Sequence, residues 1–340
     1  MKHIPQLRLA SHQLIESRCR TAADVVTALG AVQAQDYGSA VWAIGCRIPG
    51  STEADIERAV RERTIVRTWP MRGTIHFVPA DDVRWMLALL APRVIKSTAA
   101  RVRSLELDDA IFAKAERILV KAMRGKWLSR EDTLQTLERA GISTADGRGY
   151  HIIFRLSMLA VLCGGPREGK TQTFTLLDEW VPKSKSLSRE EGLTLLARRF
   201  FTGHAPATAQ DFAWWAGLKI AEAKAAHASI VTELVTPQAA DSTHLLPGFD
   251  EYLLGYKDRS AVLDAAHADK IVPGGNGIFL PMMVRNGRIV GRWKRTISKS
   301  GVRVTLEPFV KTSLKPFDAA VERYVQFFRK GEISRKQCGD

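Results

Sequence analysis

Cysteine is scarce and scattered: four residues in 340, Cys19, Cys46, Cys163 and Cys338, with no C-x-x-C pair among them. That spacing excludes a zinc ribbon and the usual iron–sulfur motifs, and it offers no disulfide framework. The eight histidines form no H-E-x-x-H or similar ligand pattern, so neither a metal nor any other cofactor is expected. No apolar run reaches the ~20 residues that span a bilayer. The opening stretch MKHIPQLRLASHQL lacks an apolar signal-peptide core, so no membrane partner is expected and the protein is placed in the cytoplasm. Low-complexity tracts and long linkers are missing too. What remains is an ordinary globular composition, 45% hydrophobic and 25% charged, in a chain long enough for two or three modules.

Positive charge is in surplus. Fifty Lys and Arg stand against 36 Asp and Glu, a formal charge of +14. The surplus is uneven, with 14 Lys/Arg and 5 Asp/Glu in residues 281–340. Such an excess favours a polyanionic partner, nucleic acid ahead of an anionic membrane surface.

One pattern recurs three times: three helices, then a short β-hairpin. The first copy, residues 1–105, has Thr21 and Asp24 in capping-box spacing before an apolar run and Gly30 as a stop. It continues with the amphipathic STEADIERAVRERT. Two strands follow around a turn at Met71–Gly73, and the helix ADDVRWMLALLAPR is expected to end at Pro92. The second copy, 106–185, has Ser129 and Asp132 as a cap and a hairpin whose tip, Gly165–Lys170, is turn-rich and basic. In the third, 186–268, Ser188 with Glu191 and Thr208 with Asp211 repeat the cap, and the unit closes on the less regular LLPGFDEYLLGYKDRS. Residues 269–340 alternate apolar and polar residues around Asn286-Gly287, a strong hairpin signal, and end in the helix DAAVERYVQFFRK. Three-helix units with a basic hairpin are winged-helix modules, in which the wing touches backbone or minor groove. The expected fold class is therefore mainly α with β-hairpin wings (α+β): tandem winged-helix motifs plus a C-terminal β-domain.

The stretches LGAVQAQDYGSAVWAIGCRIPG, IVRTWPMRGTIHFVPADDVRWMLALLAPR, LLPGFDEYLLGYKDRS and NGIFLPMMVRNGRIVGRWKR, in that order over nearly the whole chain, resemble the AlkZ-like winged-helix DNA glycosylases. The resemblance implies a C-shaped clamp on duplex DNA. It also implies excision of alkylated bases, including unhooking of interstrand crosslinks made by bacterial genotoxins of the azinomycin kind. The catalytic signature of that family is Gln, an apolar residue, then Gln or Asp, and Gln33-Ala34-Gln35 is its Gln/Gln version.

The chemistry can be weighed apart from the resemblance. Residues two apart point about 200° away from each other on a helix of ~3.6 residues per turn, but share a face on an extended segment. Gln33 and Gln35 can act together only if the segment past the Gly30 stop is extended or a loop. Two amides on one face offer enough donors and acceptors to orient one water. An N7-alkylguanine is cationic, so its glycosidic bond is already weakened, and a placed water with stabilisation of the charge developing at C1′ suffices. No amine nucleophile is indicated, so a monofunctional glycosylase without a lyase step is expected. Asp36 is a candidate to steady cationic character or assist the water; as a plain helix-start residue it has a structural use too.

Arg72 at the first hairpin tip is assigned to DNA, phosphate or minor groove, with His76 as a DNA contact or lesion-pocket residue and Trp69 as core. Arg167 and Lys170 at the second tip, and Arg288, Arg292 and Lys294 in the last hairpin, are further phosphate-contact candidates, each of which taken alone reads as a plain surface charge. The cluster Asp250, Glu251, Tyr252, Asp258 and Arg259 either borders the active-site cleft or forms an internal salt-bridge network joining the third module to the β-domain, and it receives no catalytic role. Trp42, Ile44 and Trp85 are read as core. The partner expected is damaged double-stranded DNA, bound by a nucleoid-associated monomer. The competing reading is a non-enzymatic winged-helix transcription regulator, which would have no use for the glutamine pair. Its third helices lack the Arg, Asn and Gln clusters of base readers.

Overall fold

The computed structural model describes residues 3–233, 238–298 and 301–328. Cys338, and residues 329–330 at the end of the expected terminal helix, lie outside them. The chain folds as helices with small antiparallel sheets, in two compact units. One unit joins the residues up to 56 with those from 197 on; the other is 57–196.

Local signals account for several helix starts. Thr21 accepts the Asp24 N–H and the Asp24 carboxylate accepts the Thr21 N–H, opening helix Ala22–Leu29. Thr208 and Asp211 repeat this reciprocal cap at Ala209–Ala216. The Ser129 hydroxyl accepts the Asp132 N–H at Arg130–Arg139, and Ser188 and Glu191 exchange bonds at Arg189–Gly203. Each side chain satisfies a donor that the first helical turn leaves without a partner. Pro92 departs from expectation: helix Val83–Ser97 runs through it. Ala88, whose carbonyl a residue at 92 would normally bond, is exposed together with Pro92, so water can take the place of the missing N–H.

In unit 57–196 the strands lie in the order Thr74–Pro79, Ile65–Met71, Leu162–Gly164, Thr173–Leu176, Leu128–Ser129, each pair antiparallel. Helices Asp109–Met123, Arg130–Arg139 and Arg148–Met158 precede the hairpin Leu162–Gly164/Thr173–Leu176. Trp69 is buried between Phe154 and Phe174, at 6.1 and 6.2 Å between ring centres.

In the other unit, Met282–Arg285, Arg288–Ser298 and Gly301–Pro308 form an antiparallel sheet, with Asn286 and Gly287 at positive φ in the first turn. Thr243–Leu246 adds the fourth strand, pairing with Met282–Arg285. Trp42, from helix Tyr37–Gly45, donates its indole N–H to the Leu245 carbonyl at 2.7 Å, and Trp293 donates to Leu246 at 2.8 Å. Both rings meet Tyr324 of the terminal helix Asp318–Phe327 edge-on. Helix Ala22–Leu29 is pinned from below: a Cβ on Gly203 would lie 2.2 Å from the Ala28 carbonyl oxygen, so only glycine admits this backbone approach.

His12 is fully buried in this unit. The Tyr256 hydroxyl donates to the His204 carbonyl at 2.8 Å and accepts from His12 Nε2 at 2.9 Å. Burial first, then His204 and the Arg47 and Arg8 guanidiniums, hold the His12 pKa well below its ordinary 6.5. The unfolded chain therefore takes up a proton below pH 6.5 that the fold refuses. Stability is whole above about pH 6.5 and falls by about 1.4 kcal/mol per pH unit below it for this residue. The melting temperature is expected to decline from pH 7 to pH 5, and more gently in His12→Gln; identical slopes for the two proteins would contradict this.

Candidate functional site

Helix Ala22–Leu29 stops at Gly30, which takes φ +77°. The chain is extended at Val32–Gln33 and bends at Gln35–Asp36 before helix Tyr37–Gly45 begins. The glutamine pair is thus on a non-helical turn between two helices. Gln33 is 7% exposed, whereas Gln35 and Asp36 are exposed. Asp36 is the N-cap: its Oδ1 accepts the Ser39 N–H at 2.6 Å.

Buried charge braces both sides of this turn. Arg47, just past the helix, forms a bidentate pair with Asp250, Nη1–Oδ2 2.9 Å and Nη2–Oδ1 2.8 Å, with both side chains fully buried. Arg47 also donates to the carbonyls of His12 and Ala43. Asp250 Oδ1 in turn accepts the Tyr252 N–H and starts the short helix Glu251–Leu254. The next residue, Glu251, reaches back: its Oε1 accepts the Gln33 N–H at 3.0 Å, and its Oε2 accepts the Trp215 indole N–H at 2.8 Å. The Asp250–Glu251 pair, given no catalytic role from the sequence, is thus what the turn rests on. Its 218-residue separation from Gln33 leaves no local signal.

Arg295 is a further side chain the sequence did not single out. Its Nη1 donates to the Tyr324 hydroxyl at 2.6 Å, and its Nη2 lies 2.6 Å from where a Cβ on Gly38 would be. Glycine at the second helical position leaves room for this guanidinium at the start of the helix. Burial pushes the Tyr324 phenol up to about 12, against the opposing pull of Arg295.

The expected DNA contacts fall in different settings. Arg288 is exposed beside the Asn286–Gly287 turn. Arg292 and Lys294 both engage Glu307 on the neighbouring strand, Lys294 at 2.6 Å while its side chain stays 60% exposed. Those contacts, that of Lys294 foremost, lower the Glu307 pKa. In unit 57–196, Arg72 sits at the hairpin tip at φ +54°, half-buried, and His76 is fully buried. His76 Nδ1 is 3.0 Å from the Thr74 carbonyl, and its Nε2 is 3.4 Å from Arg72 Nη2. Arg167 lies 3.5 Å from Glu57, and Lys170 is exposed. Trp42, Ile44 and Trp85 are buried, as expected.

The fold is shared with a solved glycosylase. DNA glycosylase AlkZ of Streptomyces sahachiroi matches with a TM-score of 0.78 over 95% of this chain and 96% of that one, at 22% identity. In sequence, an interstrand DNA cross-link repair glycosylase of the same organism is 24% identical, with 95% of this chain and 94% of the relative covered. The profile of the DNA glycosylase AlkZ-like family matches residues 26–327. The chain belongs to the AlkZ-like DNA glycosylase family, and is accordingly a DNA glycosylase of DNA repair.

Proposed function

We propose that this glycosylase hydrolyses the N-glycosidic bond of alkylated purines, N7-alkylguanine first, through a water held by Gln33 and Gln35. The observation that carries the reading is the non-helical turn, with the Gln33 backbone anchored by a buried carboxylate and Gln35 exposed beside it. Amides neither give nor take protons readily, but they orient a water through its hydrogen bonds. A cationic base departs as a neutral one, so placing the water at C1′ is the main demand, and proximity supplies it. Asp36, engaged as a helix cap, contributes its charge next to the turn and not a proton. No lysine occurs in residues 30–50, and a lyase step needs an amine to form a Schiff base.

The relative named for cross-link repair extends the substrate class to interstrand crosslinks, which it would unhook by the same hydrolysis. An exposed turn suits a lesion too bulky to be swung into a deep pocket. Two surface depressions of this unit, one lined by Gln13, Ser17 and Arg20 and the other by Pro5, Arg285 and Arg288, do not include the turn. Among the described residues no helix is long and apolar enough to cross a membrane. Duplex DNA is the partner in this reading, gripped by a monomer of tandem winged-helix modules through Arg72, Lys170, Arg288 and Lys294. Arg167 and Arg292 reach phosphate beside their acidic partners, and His76 supports Arg72 from beneath.

The product distinguishes hydrolysis from lyase chemistry. Incubation with a duplex carrying one N7-methylguanine is expected to leave an intact strand with an abasic site, cut only by hot alkali. Borohydride is expected to trap no protein–DNA adduct. Strand cleavage without alkali, with a trapped adduct, would overturn the monofunctional assignment.

A further inference from the structure

Beneath the glutamine turn lies a buried polar cluster built on Glu251. Glu251 is 1% exposed, and Trp215 and His204 are fully buried. Two donors converge on the two carboxylate oxygens, the Gln33 N–H at 3.0 Å on one and the Trp215 indole N–H at 2.8 Å on the other. His204 Nε2 stands 3.8 Å from the second oxygen, its Nδ1 directed at the Phe200 carbonyl at 3.1 Å. The cluster is held rigidly. Asp250 beside Glu251 is locked to Arg47, and the Phe200 ring stacks on His204 at 4.4 Å and meets Trp215 at 5.1 Å.

We propose that Glu251 is a positioning residue for excision, setting the Gln33 main chain, and with it the water-holding amide, through an acceptor that only a carboxylate supplies. The inference rests on the reading that Gln33 holds the water. Its physical basis is the convergence of donors. An ionised carboxylate accepts at both oxygens, while an amide of the same shape accepts at one and donates at the other. Glutamine at 251 must turn its NH2 toward either Gln33 or Trp215, and a buried donor facing a donor moves one of them away. A strand that carries a reacting water tolerates little displacement, since a shift of ~1 Å can cost about 100-fold in rate.

The test is a cycle of Glu251→Gln and Gln33→Ala, read by single-turnover excision of N7-methylguanine and by DNA affinity. Glu251→Gln alone is expected to slow excision by about 10-fold or more with affinity unchanged. In the Gln33→Ala background it is expected to add less than about 2-fold, because two residues acting as one unit are not additive. Adding Trp215→Phe to Glu251→Gln removes the competing donor, and is expected to regain rate while lowering the melting temperature. A purely structural residue cannot show that inversion. Glu251→Asp, which keeps the charge and withdraws the acceptor by one methylene, replaces Glu251→Gln in the cycle if the latter does not fold. A full multiplicative loss in both backgrounds, or a rate that only follows melting temperature, would overturn the positioning role. A wild-type rate in Gln33→Ala would overturn the water-holding reading itself. A slow Gln33→Ala beside a fast Glu251→Gln would remove the positioning role alone.

Discussion

Asp250→Ala is expected to destabilise the fold by about 3–5 kcal/mol, because it leaves the Arg47 guanidinium buried without its counter-charge. Both partners are fully buried, and two N–H···O bonds join them. Burial pulls the Arg47 pKa down, but the Asp250 carboxylate beside it carries it above the ordinary guanidinium range. A melting temperature lower by about 4–7 °C follows for a chain of this size. Replacing Arg47 by Met and Asp250 by Leu together is expected to cost far less, since no lone charge is then trapped. A loss below about 1 kcal/mol in Asp250→Ala would show that water or another group reaches Arg47, and would release the turn from its brace.

Gln33→Ala and Gln35→Ala are each expected to lower the single-turnover excision rate by on the order of 100-fold, with duplex affinity unchanged. The double variant is expected to be only slightly slower than the worse single one. If the two amides share one water, as proposed, it is lost when either amide goes, and the second deletion removes little more. Multiplying losses would mean that the two side chains perform separate tasks. The environments make the two deletions distinguishable by stability: Gln33 is almost wholly buried and Gln35 is exposed. Gln33→Ala should therefore also lower the melting temperature measurably, while Gln35→Ala should not.

What was legible in the sequence was local. Capping pairs three residues apart, the Gly30 stop and the Asn286-Gly287 turn are each decided within a few positions. All of them form as expected. The turn-like character of the glutamine segment followed from Gly30 alone. Pro92 misled because a helix tolerates proline where the abandoned carbonyl faces water, and side-chain exposure is a property of the packed unit. Thr243–Leu246 is too short for an alternation signal and becomes a strand by pairing with Met282–Arg285. The braces of the site were beyond reach for the same reason. Arg47 meets Asp250 across 203 residues, Gln33 meets Glu251 across 218, and the Arg295 guanidinium packs on Gly38. The motif was readable, but the carboxylates that hold it were not.

The proposed function rests on these two glutamines turning the fold into a hydrolytic glycosylase. Single-turnover incubation of the wild-type protein with an N7-methylguanine duplex, beside Gln35→Ala and with the affinity of both measured at two salt concentrations, tests it most directly. Abasic product from the wild type, a large loss of rate in the variant, and equal, salt-sensitive binding by the two proteins are expected. Tight, salt-sensitive binding with no excision of that lesion or of a crosslinked duplex would contradict it.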